Sequence, residues 1–348
     1  MGAAGRGRPV RADPGPAAGH AGVPAVAACR RLRVGIAASA RSPVQWPGLD
    51  GAAERRFSLV VLGDVRIEVR ASLSTVRFTD LTSDRLAYAP ARAVVSGTAV
   101  NLARRATGYF RRVAVLGKVG DDDFTPVIRR ELRRLGVHDL LGVEHGMPNG
   151  VAVMLRDRPD GDGRGVRLLI AEEDAPDRRL AEADVRRAAP GIRRADALFT
   201  DGYALLAPVS RGALHAAART AREAGTAVVF DLVPHDIDAR LPLVDVLPLL
   251  SLADVVISEA PTLARLLGRP APVGGAEMRE LLPALDRAVP GRPLWLLRFG
   301  ASSLERVLAH QRERLLMEYA SGYGEGVERT GFGDRLAAGE LYWWLSSR

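Results

Sequence analysis

Near the C-terminus one stretch has the residue types for phosphate chemistry: Thr330, Gly331, Phe332, Gly333 and Asp334, followed by the small residues Ala337, Ala338 and Gly339. A Gly-x-Gly-Asp turn that opens a helix presents several backbone N–H groups at the positive end of the helix dipole, which suits a phosphoryl group in transfer. Asp334, at that helix start, is placed to take the proton of an attacking hydroxyl. The same residues also read as an ordinary N-capping Asp after a glycine turn, and the local pattern leaves both readings open.

Further polar residues stand directly after short apolar runs. Gly63 and Asp64 follow the run 59–62, Gly117 follows 113–115, and Asp201 with Gly202 follows 197–199. Asp231 follows 227–230, Ser258 and Glu259 follow 255–257, and Arg298 with Gly300 follows 294–297. If the runs are parallel strands, these residues collect at the carboxyl ends, where open α/β sheets bind their ligands. Gly and Asp are equally common as plain strand terminators. His235, two residues after Val233, is either a cleft residue or a solvated loop histidine.

The runs alternate with amphipathic stretches. One helix is marked by Thr125 as cap, Pro126 in the first turn, Ile128, Leu132 and Leu135 on one face, and Gly136 as the stop. Another is expected over about 211–224, between Ser210 as cap and Gly225 as terminator. Such alternation implies an α/β fold, a doubly wound and mostly parallel sheet with helices on both faces. The segments 67–95 and 151–170 break the rhythm and read as β-rich, the second with a turn at Asp160, Gly161, Asp162 and Gly163. A small sheet at one edge of the body accounts for both. Residues 1–56 are rich in Gly, Ala, Pro and Arg without a sustained period, and read as a disordered extension before a domain at 57–348. A targeting peptide is the alternative for this Arg-rich, acid-poor stretch, although the regions of a secretory signal are missing.

Composition narrows the classes. The 348 residues are 47% hydrophobic and 26% charged, as in globular proteins, and no apolar run is long enough for a membrane span. The single cysteine, Cys29, excludes an intrachain disulfide and a cysteine-based zinc site, and a reducing cytoplasm is the expected location. Of the net charge of +8, residues 1–56 carry +6, from nine Arg against Asp13, Asp50 and Glu54. Lys118 is the only lysine, so the Arg surplus reads as a coding bias and no nucleic-acid partner is expected.

In this order along the chain, the motifs resemble those of the ribokinase-like, or PfkB, carbohydrate kinases. The family's late signature Asp-Thr-x-Gly-Ala-Gly-Asp is similar to 328–334, with Glu328, Arg329 and Phe332 replacing Asp, Thr and Ala. Its Gly-Gly-x-x-x-Asn signature resembles Ser96, Gly97 and Asn101, and its Gly-x-x-Gly-x-Asp turn resembles 113–121. Gly63, Asp64 and Glu68 are similar to its N-terminal Gly-Glu-x-x-x-Asp pattern. The resemblance spans about 57–345. It implies ATP- and Mg2+-dependent phosphorylation of a small sugar or nucleoside hydroxyl, with the small sheet as a lid through which a homodimer would form. Asp334 would be the base, and the backbone of Gly331, Phe332 and Gly333 the anion hole. Glu68, Gly97 and Asn101 would hold acceptor hydroxyls.

Two signatures depart. The family's Asn-x-x-Glu, associated with magnesium and phosphate, falls on Ser258, Glu259, Ala260 and Pro261, which leaves Glu259 as the metal candidate. Its Thr-x-Gly turn falls on Arg298, Phe299 and Gly300, where Arg298 has a fork that can pair with nucleotide phosphate. The aromatic residues Tyr342, Trp343 and Trp344 either pack the last helix onto the body or cover a partner surface. These departures motivate a rival reading, a ligand-binding or regulatory protein that keeps the fold without the transfer. A Rossmann-type oxidoreductase is disfavoured, because no Gly-x-Gly-x-x-Gly follows the first run.

Overall fold

Both faces of the central strands are apolar because both are covered, and this is why they read as continuous runs instead of alternating ones. The computed structural model describes residues 51–82, 86–158, 166–233, 236–272, 274–299, 304–311, 314–322 and 332–348. In chain order the first elements are β1 (Ser58–Leu62), β2 (Arg66–Ser72), β3 (Ala91–Ser96), α1 (Thr98–Ala106), β4 (Arg112–Leu116), β5 (Lys118–Val119), α2 (Phe124–Arg134), β6 (His138–Asp139) and β7 (Gly142–Val143). Then come β8 (Val151–Arg156), β9 (Arg167–Ala171), α3 (Glu182–Arg193), β10 (Ala197–Asp201), α4 (Pro208–Ala224), β11 (Ala227–Leu232), α5 (Ile237–Arg240), α6 (Leu243–Leu252) and β12 (Val255–Glu259). The last are α7 (Ala260–Leu266), α8 (Gly275–Ala288), β13 (Leu294–Phe299), β14 (Leu304–Gln311), β15 (Arg314–Gly322) and α9 (Phe332–Ser347).

The large sheet has the order β15-β14-β13-β12-β11-β10-β1-β4-β6, parallel from β6 to β13 and antiparallel at β14 and β15. Successive side chains point to opposite faces. Val60, Leu62, Leu198, Phe230 and Trp295 pack with α3, α4, α6, α7 and α8. Leu59, Val61, Val115, Phe199, Ile257 and Leu296 pack on the other side with α1, α2 and α9. Tyr342 of α9 lies edge-on to Phe57 and Phe110, so this aromatic residue joins the last helix to the body.

All six apolar runs are strands, while two helices begin earlier than their expected caps. α2 opens at Phe124, whose N–H donates to Asp122 Oδ1, and the Thr125 hydroxyl bonds back to the Gly120 carbonyl instead of capping. α4 opens at Pro208, whose fixed φ suits a first helical position, and the Ser210 hydroxyl donates to the Ala204 carbonyl. Gly225 ends α4 as expected, at φ +76°.

The two β-rich segments meet in one four-stranded sheet, β3-β2-β8-β9, with β2 antiparallel to β3, parallel to β8, and β8 antiparallel to β9. The turn expected at 160–163 lies outside the described residues, as do residues 1–50 with Cys29. Residues 51–56, assigned to the extension by composition, are tied down. The Ala52 N–H donates to Gly108 O, Arg55 donates to Thr107 O, and the Tyr342 hydroxyl donates to the Glu54 carbonyl. Among the described residues no helix is long and apolar enough to cross a membrane.

Candidate active site

The sheet changes its direction of winding between β1 and β10. From β1 the chain runs out to β4 and β6, then returns to continue through β10, β11, β12 and β13 on the other side. At such a switch point the loops leaving neighbouring strands part and open a crevice at the carboxyl ends. Gly63 and Asp64 leave β1 there, and Asp201 ends β10.

Asp64 holds the start of α1. Its Oδ1 accepts from the Thr98 N–H at 3.0 Å and from the Thr98 hydroxyl, which also meets Asp201 Oδ2. A hydroxyl has one proton, so two carboxylates sharing it require one of them to bring its own. Asp201 is that group: buried, and beside the charge of Asp64, its carboxyl is pushed up to about 8. The contact between this loop and α1 depends on Gly97, at φ +97°, where a Cβ would lie 2.3 Å from the Asp64 carbonyl oxygen.

On α1, Asn101, Arg104 and Arg105 share a face through their i, i+3, i+4 spacing, and all three line a cleft of about 780 Å³ that reaches Asp334. Asn101 Oδ1 accepts from Arg104 at 3.2 Å and lies 3.2 Å from the Ser96 hydroxyl. That hydroxyl is 2.5 Å from Glu68 Oε2, and the Glu68 carboxylate accepts twice from Arg70 at 3.1 Å. Glu68 and Asn101 are thus joined through Ser96, with Glu68 buried behind the cleft wall.

The cleft reaches the start of α9 at Asp334. Arg298 on β13 donates to the Gly333 carbonyl and to the fully buried Glu340, both at 3.2 Å. Burial pushes the Asp334 carboxyl up to about 6, while the guanidinium groups of Arg298, Arg105 and Arg104 pull against the rise. Near neutral pH it is therefore largely ionised yet basic enough to accept a proton, the condition a general base needs. Asp231 is pushed up to about 7, raised by burial, lowered by Arg298 and raised again by Glu340, Asp334 and Glu259.

Glu259 ends β12 half-buried, and the buried Ser258 next to it donates its hydroxyl to the Glu259 carbonyl. Among the described residues no three His, Cys, Asp or Glu side chains form a metal cage. Magnesium at phosphoryl-transfer sites is held by one or two carboxylates together with substrate phosphates. Glu259, near enough to Asp231 to raise its pKa, is a donor of that kind.

The structure thus brings Asn101 and Asp334 into one cleft, with Gly97 at the start of α1 against the Asp64 carbonyl, Glu68 joined to Asn101 through Ser96, and Gly333 bonded to Arg298 beside Asp334. Gly331, Gly300 and His235 lie outside the described residues, and Phe332 is described only as backbone, as the first residue of α9. Sequence reasoning missed Thr98 and the arginines of the cleft. For Arg104 and Arg105 the signal is their spacing from Asn101; the others come from separate segments with no local mark.

The strand order, the small sheet and the strand-end cleft define a ribokinase-like α/β fold. The chain belongs to the pfkB family of carbohydrate kinases, whose sequence profile matches residues 77–290. That stretch covers the small sheet from β3 onward, α1 and the sheet up to α8, so Arg298 and Asp334 lie beyond it. No curated protein sequence matches the chain. Among solved structures it is similar to the adenosine kinase from Sinorhizobium meliloti, at 20% identity and TM-score 0.66, covering 84% of this chain and 89% of that one. It is also similar to Arabidopsis thaliana ribokinase complexed with ribose and ATP, at 17% identity and TM-score 0.63, covering 84% and 87%. The fructokinase from Xylella fastidiosa matches at 17% identity and TM-score 0.60, covering 84% of each chain. At these identities the likeness is one of fold.

Proposed function

We propose that the protein transfers the γ-phosphoryl group of ATP to a hydroxyl of a small sugar or nucleoside acceptor. The observation that carries this reading is the placement of Asp334 at the start of α9, in the same cleft as Asn101, with its carboxyl near 6. Asp334 takes the proton of the acceptor hydroxyl as the new O–P bond forms. The backbone of Gly331, Phe332 and Gly333 is the anion hole for the charge that develops on the transferred group. ATP supplies that group, its bond to the bridging oxygen breaking to release ADP, with Mg2+ held in part by Glu259.

Gly97 and Asn101 orient the acceptor, and Glu68 acts with them through Ser96. Arg298 and Gly300 belong to the nucleotide side, where Arg298 fixes the start of α9 through Gly333 and Glu340. The four-stranded sheet serves as a lid that excludes water from the phosphoryl group. Its edge strand β9 exposes Leu168, Leu169 and Ile170, the edge we assign to a homodimer. The activity implies a cytoplasmic location, where ATP is supplied, and needs neither nucleic acid nor membrane.

One observation favours a ligand-binding protein without transfer: Arg298 is engaged by Glu340 and Gly333, and Ser258 by its own chain, at the positions where the family signatures depart. A coupled ADP-release assay over sugars and nucleosides, run beside nucleotide-induced thermal shift, separates the two. ADP release dependent on an acceptor supports the kinase. Binding of nucleotide and sugar without ADP release supports the rival.

A further inference from the structure

The cleft that holds Asn101 and Asp334 is lined by six arginines: Arg70, Arg92, Arg104, Arg105, Arg130 and Arg134. Two carboxylates line it with them, Glu131 and Asp334. The arginines come from three walls, the small sheet, α1 and α2, so the accumulation is a property of the fold and not of one basic segment. Two of its features cost stability. Arg70 and Arg92 stand directly opposite each other in the antiparallel pairing of β2 with β3, where like charges repel. Arg130 and Arg134 stand four apart on α2, again a repulsive spacing. Internal acids offset part of this: Glu68 accepts from Arg70, and Glu131 from Arg104 and Arg134. The lining still carries a clear positive surplus.

We infer that the acceptor is a sugar that already carries an anionic group, a phosphate ester or a carboxylate, which the arginines bind while its free hydroxyl faces Asp334. The inference rests on the kinase reading for the hydroxyl, but its charge argument stands on the cleft alone. Arg70 and Arg92 lie on the small sheet and Arg130 and Arg134 on α2, while Arg104 and Arg105 on α1 are near enough to Asp334 to pull its carboxyl down. Guanidinium forks match phosphate and carboxylate oxygens in pairs. Each charge-assisted hydrogen bond gained over a neutral sugar is worth roughly ten-fold or more in affinity.

Titration calorimetry on the full chain, run with and without a non-hydrolysable ATP analogue, tests this. Ribose, fructose and glucose are compared with ribose 5-phosphate, fructose 6-phosphate and gluconate. The expected result is at least one pair in which the anionic member binds ten-fold or more tightly than its parent, with the preference shrinking as salt is raised. The doubly substituted Arg92→Gln, Arg130→Gln chain, checked for an unchanged melting curve, loses most of the preference. The phosphate and carboxylate arms show which anion is bound. A panel in which no anionic sugar outbinds its parent overturns the inference, and so does anionic binding that the ATP analogue abolishes, since the arginines would then serve the nucleotide. ADP release with the preferred sugar is read separately: tight anionic binding without ADP release keeps this inference and removes the kinase reading.

Discussion

Two walls of the molecule treat charge in opposite ways, one packed around β13 and one lining the cleft. Around β13, charged groups are buried and satisfied by one another: Arg298 by Glu340 and Gly333 of α9 on one face of the sheet, and Asp286 of α8 by the Trp295 indole N–H and His310, each at 3.1 Å, on the other. On the side of the small sheet, α1 and α2, six arginines line one open cleft, with Arg70 and Arg92 side by side in the sheet. Internally paired charges hold elements in place and have little left for a ligand. A surplus of one sign at a cleft wall gives up some stability in the empty protein, which a bound anion restores. On the proposed reading the first wall is architecture and the second recognises the ligand, with Asp334 lining the cleft of the second.

The largest effect expected from breaking this arrangement is on turnover. Asp334→Asn keeps the shape and capping capacity of the side chain but cannot take a proton, so turnover should fall by roughly 10²- to 10⁴-fold with folding intact. Steady-state ADP release beside a melting curve checks both halves. An equal loss of folding would place Asp334 with the architectural wall instead.

On that wall, Glu340→Ala leaves the Arg298 guanidinium buried without its carboxylate and should cost about 3–5 kcal/mol of stability, read by denaturant unfolding. A cost below about 1 kcal/mol would show that Arg298 is free to turn toward a ligand.

A smaller, pH-dependent effect is expected at the switch point. The Asp201 carboxyl is raised from 3.8 to about 8, so the folded protein holds a proton that the unfolded chain releases. That contribution is complete below about pH 4 and lost as pH rises toward 8, with Asp231 acting in the same direction up to about 7. Melting temperature should therefore decline between pH 5 and 8. Asp201→Asn keeps the hydrogen bonds of the neutral acid and should flatten the decline, by about 1 kcal/mol or more at pH 8. A variant with the wild-type slope would place the proton elsewhere. The smallest effect belongs to the lid edge: Leu169→Arg should change stability by less than about 0.5 kcal/mol but shift a dimer toward monomer by light scattering.

Sequence patterning identified the strands well because their signal is local. Each run of apolar residues such as 227–230 is buried on both faces, and the punctuating Gly225 and Gly136 are needed where they stand. Helix starts were less legible: Ser210 reads as a cap, yet Pro208 begins α4, and the hydroxyl serves the preceding turn. Asp334, Asn101 and Gly97 stood out as candidates because they belong to motifs. The arginine wall was not legible, since 70, 92, 104, 105, 130 and 134 are scattered along the chain and become one surface only when the small sheet comes together beside α1 and α2. The proton shared through Thr98 was hidden for the same reason, with Asp64 and Asp201 more than a hundred residues apart.

The account's central claim is that Asp334 receives the acceptor proton, and the pH dependence of turnover tests it most directly. Its carboxyl lies near 6, so wild-type turnover at saturating ATP and acceptor should fall about ten-fold for each pH unit below that value. The residual activity of Asp334→Asn, measured over the same range, should lack this limb. The difference between the two profiles isolates Asp334 from the titration of substrate phosphates. A wild type that turns over as fast at pH 5 as at pH 7.5, or an Asn variant with the wild-type rate and profile, would contradict the claim.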